Sequence, residues 1–80
     1  MTIIVDGAVI RLVGICGAED AEILLSHLQE MPESQIDVSA SRHLHGAVVQ
    51  VFLALRPTVR GMAEDVFLRD WVIPCLAAPP

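Results

Sequence analysis

The apolar positions of this chain group into short blocks separated by glycine, proline and acidic residues. The first block spans residues 2–13. Ile3-Ile4-Val5 and Val9-Ile10-Arg11-Leu12-Val13 are rich in β-branched residues, with Asp6-Gly7 between them. That pattern predicts a hairpin, because an Asp-Gly pair can take positive φ at both central turn positions. Residues 14–17 predict a connection, with Ile15 and Cys16 buried between two glycines. Residues 18–31 predict a helix. Ala21, Leu24, Leu25, Leu28 and Met31 recur at helical spacing. Glu19, Asp20 and Glu22 fall in the first turn, where the helix dipole favours anions. No Ser, Thr or Asn precedes the helix, so Gly17 is the expected cap. His27 falls on the outer side, beside Ser26 and Glu30, and Pro32 ends the element.

After a turn at Pro32-Glu33-Ser34, Gln35-Ile36-Asp37-Val38 predicts a strand. Strand, helix and strand in this order point to a crossover unit with parallel pairing. A polar loop through residues 39–46 follows. Residues 47–55 hold Val48, Val49, Val51 and Phe52, which also suit a strand, but they do not alternate. Val48, Val51, Phe52 and Leu55 fit one helical face, and a helix is expected. Pro57 disfavours helix at Arg56. Residues 58–61 read as a short extended link or a stub strand. Residues 62–73 predict a last helix, with Leu68, Trp71, Val72 and Cys75 at helical spacing, Pro74 ending or kinking it, and a frayed tail over 77–80. Phe67, Leu68 and Trp71 are expected mainly in the core. The fold class is α/β: a small mixed sheet opened by a β-hairpin, with two or three helices packed on it.

Composition narrows the function. Eighty residues predict a single domain over residues 1–80, burying only about 60–65% of its unfolded surface. A hydrophobic share of 54% offsets that thin margin. The formal net charge of -5 argues against nucleic-acid binding, which needs a basic face. No apolar run reaches the roughly 20 residues needed to span a bilayer, so no membrane insertion is expected. The first six residues lack the basic start of a signal peptide, and a cytoplasmic location is expected. Cys16 and Cys75 form no motif and are expected as buried, reduced thiols.

One stretch carries a family resemblance. Leu12-Val13-Gly14 ends a strand, and Ala18, Ala21, Glu22 and Leu24 follow on a helix. Asp37-Val38-Ser39 ends the next strand, and Leu44-His45-Gly46-Ala47-Val48-Val49 opens an apolar helix. This order, over about residues 10–55, resembles the STAS family (sulfate transporter and anti-sigma factor antagonist domains). The resemblance implies a truncated STAS-like domain of a bacterial regulatory protein that binds a histidine-kinase-like or anti-sigma-type protein partner. The family's functional residues are altered. His45 stands where the family has Asp, Gly46 where it has the serine that partner kinases phosphorylate, Val48 where it has Gly, and Gly17 where it has an acidic residue before the first helix. The resemblance therefore implies partner binding through Gly17, Ser41, His43, Leu44, His45, Gly46, Ala47 and Val48, without the serine switch.

Other chemistry is thinner. His43 and His45 straddle Leu44 and could share one side. Without a Cys pair or Glu they make a weak zinc signal, and solvated or helix-capping roles compete with it. Ser39 and Ser41 fit turn or cap roles. Gly46 either lets another backbone approach the helix start or relieves crowding beneath the first helix. Ser41, His43 and Asp37 can be written as a triad, but a triad is defined by geometry. No glycine-rich phosphate loop or dinucleotide fingerprint is present, so neither enzyme activity nor a cofactor is expected. Two alternatives stand beside the interaction module. One is a homodimer or assembly subunit using the apolar last helix. The other is a metal-binding module through His43 and His45.

Overall fold

The computed structural model describes residues 2–62, 64, 66 and 68–77. The elements are β1 (Ile3–Asp6), β2 (Val9–Leu12), β3 (Gly14–Cys16), α1 (Ala18–Glu30), β4 (Gln35–Asp37), β5 (Ser41–Leu44), α2 (Gly46–Leu55), β6 (Thr58–Arg60), a π-helical turn at Leu68–Val72 and α3 (Ile73–Ala77). The fold is mixed α/β, as the pattern predicts.

β1 and β2 form the predicted hairpin, with Ile3 opposite Leu12 and Asp6 opposite Val9. Its turn sits one residue later than expected. Asp6 and Val9 close the ladder, so Gly7 and Ala8 are the central pair. Gly7 alone of these has positive φ, at 59°. A glycine at the first central position is the requirement of a type II′ turn, which matches strand twist as well as the expected form does.

The four-stranded sheet has the order β1-β2-β4-β6, with β2, β4 and β6 mutually parallel. The crossover through α1 thus pairs its flanking strands in parallel, as predicted. Thr58–Arg60 is a true edge strand, and not merely a link. The same two chain segments pair a second time beyond Val13 and Val38. There β3 and β5 form a two-stranded parallel sheet, with a register shift at Gly14/Ile15. Gly14 has φ +68°, which carries the chain through this break. Ser41–Leu44 is therefore strand, where the sequence predicted loop.

The core lies between the sheets and the helices. Ile10, Leu12, Leu24, Ile36, Val38, Val48 and Phe52 are essentially solvent-free. α1 presents Ala21, Leu24 and Leu28 to it, while Met31 at the helix end is exposed. α2 contributes Val48 and Phe52, its predicted face, with Val51 half-buried and Leu55 exposed. α2 stops at Arg56, which takes the left-handed conformation with φ 48° and donates its N–H to the Phe52 carbonyl. Pro57 bars Arg56 from continuing the helix.

Three expectations about burial fail. Ile15 is 66% exposed, because the two-stranded sheet is too small to cover both faces of β3. Cys75 is exposed, whereas Cys16 is buried; both are free thiols. Trp71 is 71% exposed, while its neighbour Val72 is buried. The last helix does not run regularly over residues 62–73. Its π-helical turn widens the spacing at Leu68–Val72, and the α-helical part continues through Pro74 to Ala77. Wider spacing rotates residues off the face that an ideal helix would bury. Phe67 lies outside the described residues, as does the tail beyond Ala77.

Candidate functional site

The carboxyl ends of β3 and β5 lie side by side, with Cys16 opposite Leu44. Each runs within two residues into a helix, α1 after Gly17 and α2 after His45. The His45 N–H donates to the Cys16 carbonyl at 2.9 Å, locking the two strand ends together. α1 and α2 pack against each other. Gly17 and the stretch from Ser41 to Val48 are thereby brought to one end of the molecule, although residues 17 and 41 are far apart in sequence.

The two helix starts are satisfied differently. At α1, Gly17 occupies the cap position, as expected, but contributes no side chain. Asp20 reaches back instead, and its Oδ2 accepts from the Gly17 N–H at 2.8 Å. Its Oδ1 accepts from the Thr2 hydroxyl at 2.7 Å, tying the helix to the residue that precedes β1. This is one half of a capping box. The sequence reading gave Asp20 only a dipole role; its position three residues after the cap was the available signal. At α2, His45 is the cap, and its Nδ1 accepts from the Ala47 N–H at 3.0 Å. That bond requires the lone pair on Nδ1, so the proton of the neutral ring sits on Nε2. No acidic residue lies in the first turn of α2.

The predicted site residues divide by burial. Ser41, Leu44 and Val48 are buried and support the site from below. The Ser41 hydroxyl donates to the Val38 carbonyl at 2.8 Å, a turn role. His43, His45 and Gly46 are exposed, and Gly17 and Ala47 are half-buried. Exposed Ile15, missed by the sequence reading, pairs across from His43. No other part of this chain crowds Gly46: a Cβ there would meet nothing within 4 Å, so the glycine relieves no crowding beneath the first helix.

Asp37 and Ser39 make a separate turn. The Ser39 hydroxyl and N–H both donate to Asp37 Oδ1, at 2.6 and 2.9 Å. Ser39 holds the Asp37 carboxyl below the usual range, first through its hydroxyl and then through its N–H. Asp37 is thus committed to Ser39, and the Ser41 hydroxyl to the Val38 carbonyl. Burial, and then the nearby Asp20 carboxylate, push the Cys16 thiol up to about 11. Among the described residues, no group of three or more His, Cys, Asp or Glu is placed to hold a metal ion. No described helix is long and apolar enough to cross a membrane.

Comparison with protein-family models, with curated proteins and with solved structures returned no match.

Proposed function

We propose that this chain is a non-catalytic interaction module of the anti-sigma factor antagonist kind, working in the bacterial cytoplasm. Its partner is a histidine-kinase-like or anti-sigma-type regulator. One observation supports this most directly. Two helix starts and the carboxyl ends of two parallel strands converge on a surface where His43, His45, Gly46 and Ile15 are exposed. In open α/β sheets, ligands bind outside the carboxyl ends of the strands. The STAS resemblance carries its partner contacts to this same helix start.

Gly46 has no hydroxyl, so the position cannot accept phosphate, and the partner stays bound in the presence of ATP. The buried, committed Ser41 hydroxyl supports a role without nucleophilic chemistry.

The test is a pull-down from source-cell lysate that compares the native chain with Gly46→Arg. The open space around Gly46 lets the arginine fit without unfolding the helix start, which circular dichroism would check. The expected outcome is an ATP-binding regulator captured by the native chain, lost with the variant, and not released by ATP. The same catch from both proteins contradicts the assignment, as does release by a kinase that modifies this loop.

A further inference from the structure

The end of α1 opposite its Gly17 cap meets the β1–β2 turn at a groove of about 320 Å³, lined by Ala8, Glu30, Met31, Pro32, Glu33 and Ser34. Two backbone bonds fix its walls. The Ser34 N–H donates to the Met31 carbonyl at 3.0 Å, which shapes the turn after the helix. The Gln35 N–H donates to the Ala8 carbonyl at 2.8 Å, which holds that turn against the hairpin. Ser34 is only 3% exposed, yet its hydroxyl has no hydrogen-bond partner among the described residues. No fully enclosed side-chain oxygen or nitrogen among those residues lacks a partner. The Ser34 hydroxyl therefore reaches open space, and the groove is the space that Ser34 lines.

Charge in this groove is unbalanced. Glu30 is the last residue of α1, where the negative end of the helix dipole disfavours a carboxylate. Glu33 adds a second carboxylate after the turn. Both line the groove, and neither has an ion-pair partner among the described residues. His27, the basic side chain of the last turn, does not line this groove, and the chain contains no lysine. Two carboxylates and a buried hydroxyl thus present acceptors to a space that holds no cation of the protein's own. Ala8, Met31 and Pro32 supply an apolar wall beside them.

These features select the occupant by its chemistry. An ammonium group has three donors and no acceptor, which matches two carboxylates and one hydroxyl oxygen. A lysine side chain carries that head on an apolar stem, and such stems lie along apolar surface while the charged end stays polar. The groove is near the lower limit of ligand pockets, about 300 Å³, a size suited to one side chain. We propose that the groove between the end of α1 and the β1–β2 turn binds a lysine side chain of a partner polypeptide. Its methylenes lie against Ala8, Met31 and Pro32, and its ammonium donates to Ser34, Glu30 and Glu33. The site is separate from the partner surface at His45 and stands without it.

The experiment titrates the full chain, labelled with nitrogen-15, with a glycine-lysine-glycine peptide acetylated at its N-terminus and amidated at its C-terminus. The expected result is a saturable shift of the Met31, Glu33 and Ser34 amide signals. Ser34→Ala should weaken binding about tenfold, the worth of one hydrogen bond to a charged group. That variant deletes a hydroxyl with no partner in the fold, so its thermal melt should match the native one. Glu30→Gln and Glu33→Gln combined should weaken binding by about tenfold as well, as two exposed charge contacts would. Glu22→Gln removes an exposed carboxylate of α1 outside the groove and should leave binding unchanged, which separates the site from general attraction to a chain of net charge -5. The same peptide with its lysine side chain acetylated should not bind. Absence of the amide shifts overturns the proposal, as does equal binding of the acetylated-lysine peptide. Binding unaffected by Ser34→Ala, or weakened as much by Glu22→Gln, overturns it too. A lowered melt of Ser34→Ala would give the hydroxyl a structural role instead. Putrescine bound more tightly than the peptide, with the same loss on Ser34→Ala, would assign the groove to a free amine and contradict a polypeptide partner.

Discussion

The starts of α1 and α2 stand side by side, yet one is closed and the other open. At α1 a buried carboxylate spends both oxygens within the fold, one on the cap N–H and one on the Thr2 hydroxyl just before β1. At α2 an exposed imidazole spends one nitrogen on the Ala47 N–H, and the residue after it is a bare glycine with open space around it. The first arrangement holds the architecture together. The second leaves a helix start, an imidazole edge and a neighbouring exposed Ile15 available to another molecule. Packing assigns the two helix starts different work, although both follow parallel strands by the same short connection.

The strongest way to break this comparison is Asp20→Ala. It strands the Gly17 N–H and the Thr2 hydroxyl, and loss of such charge-assisted bonds should cost about 3 kcal/mol in urea unfolding. The Cys16 thiol should also titrate lower in this variant, because Asp20 is one of the groups that raise it. A loss near zero would mean that α1 is no more closed than α2.

The two cysteines sharpen the same contrast. Cys75 should alkylate readily in the native state, while Cys16 should react only on unfolding. The raised Cys16 pKa also has a pH signature. Its stabilising contribution is full below the ordinary value of 9.0 and is lost as pH rises toward about 11. Unfolding curves across that window, for the native chain and Cys16→Ala, would check this; only the native chain should lose the increment.

His45→Ala should cost about 1 kcal/mol, the usual worth of a helix cap. Thermal melts should show this loss to be clearly smaller than that of Asp20→Ala. The smallest effect concerns Ser39. Because Ser39 depresses the Asp37 pKa, the stability of this turn is present above 3.8 and is lost as pH falls below it. Ser39→Ala should flatten that acid limb slightly, and an NMR titration of Asp37 should show its pKa moving up.

Much of this was legible in the sequence. The hairpin, α1, β4 and α2 each carry a period or a breaker that local physics reads directly. β3 and β5 do not. Gly-Ile-Cys and Ser-Arg-His-Leu are too short to show a period, and only pairing between them makes either a strand. That non-local contact also leaves Ile15 exposed and converts the expected loop into part of the site. The end of the chain departs from its pattern for a different reason. A constant helical period places Trp71 inside, and the π-helical turn at Leu68–Val72 breaks that period and turns Trp71 outward. At the site itself, the gathering of Gly17 with residues 41–48 was expected from the STAS resemblance. The burial of Ser41, Leu44 and Val48 beneath it depends on packing and was not legible.

The most direct test of the open helix start places a photo-crosslinking amino acid at Gly46 and, in a second protein, at Glu22 on the exposed side of α1. Irradiation in source cells should join a histidine-kinase-like or anti-sigma-type regulator to the chain from position 46 and not from position 22. The same adduct from both positions, or one from position 22 alone, would contradict the claim that this surface is where the partner binds.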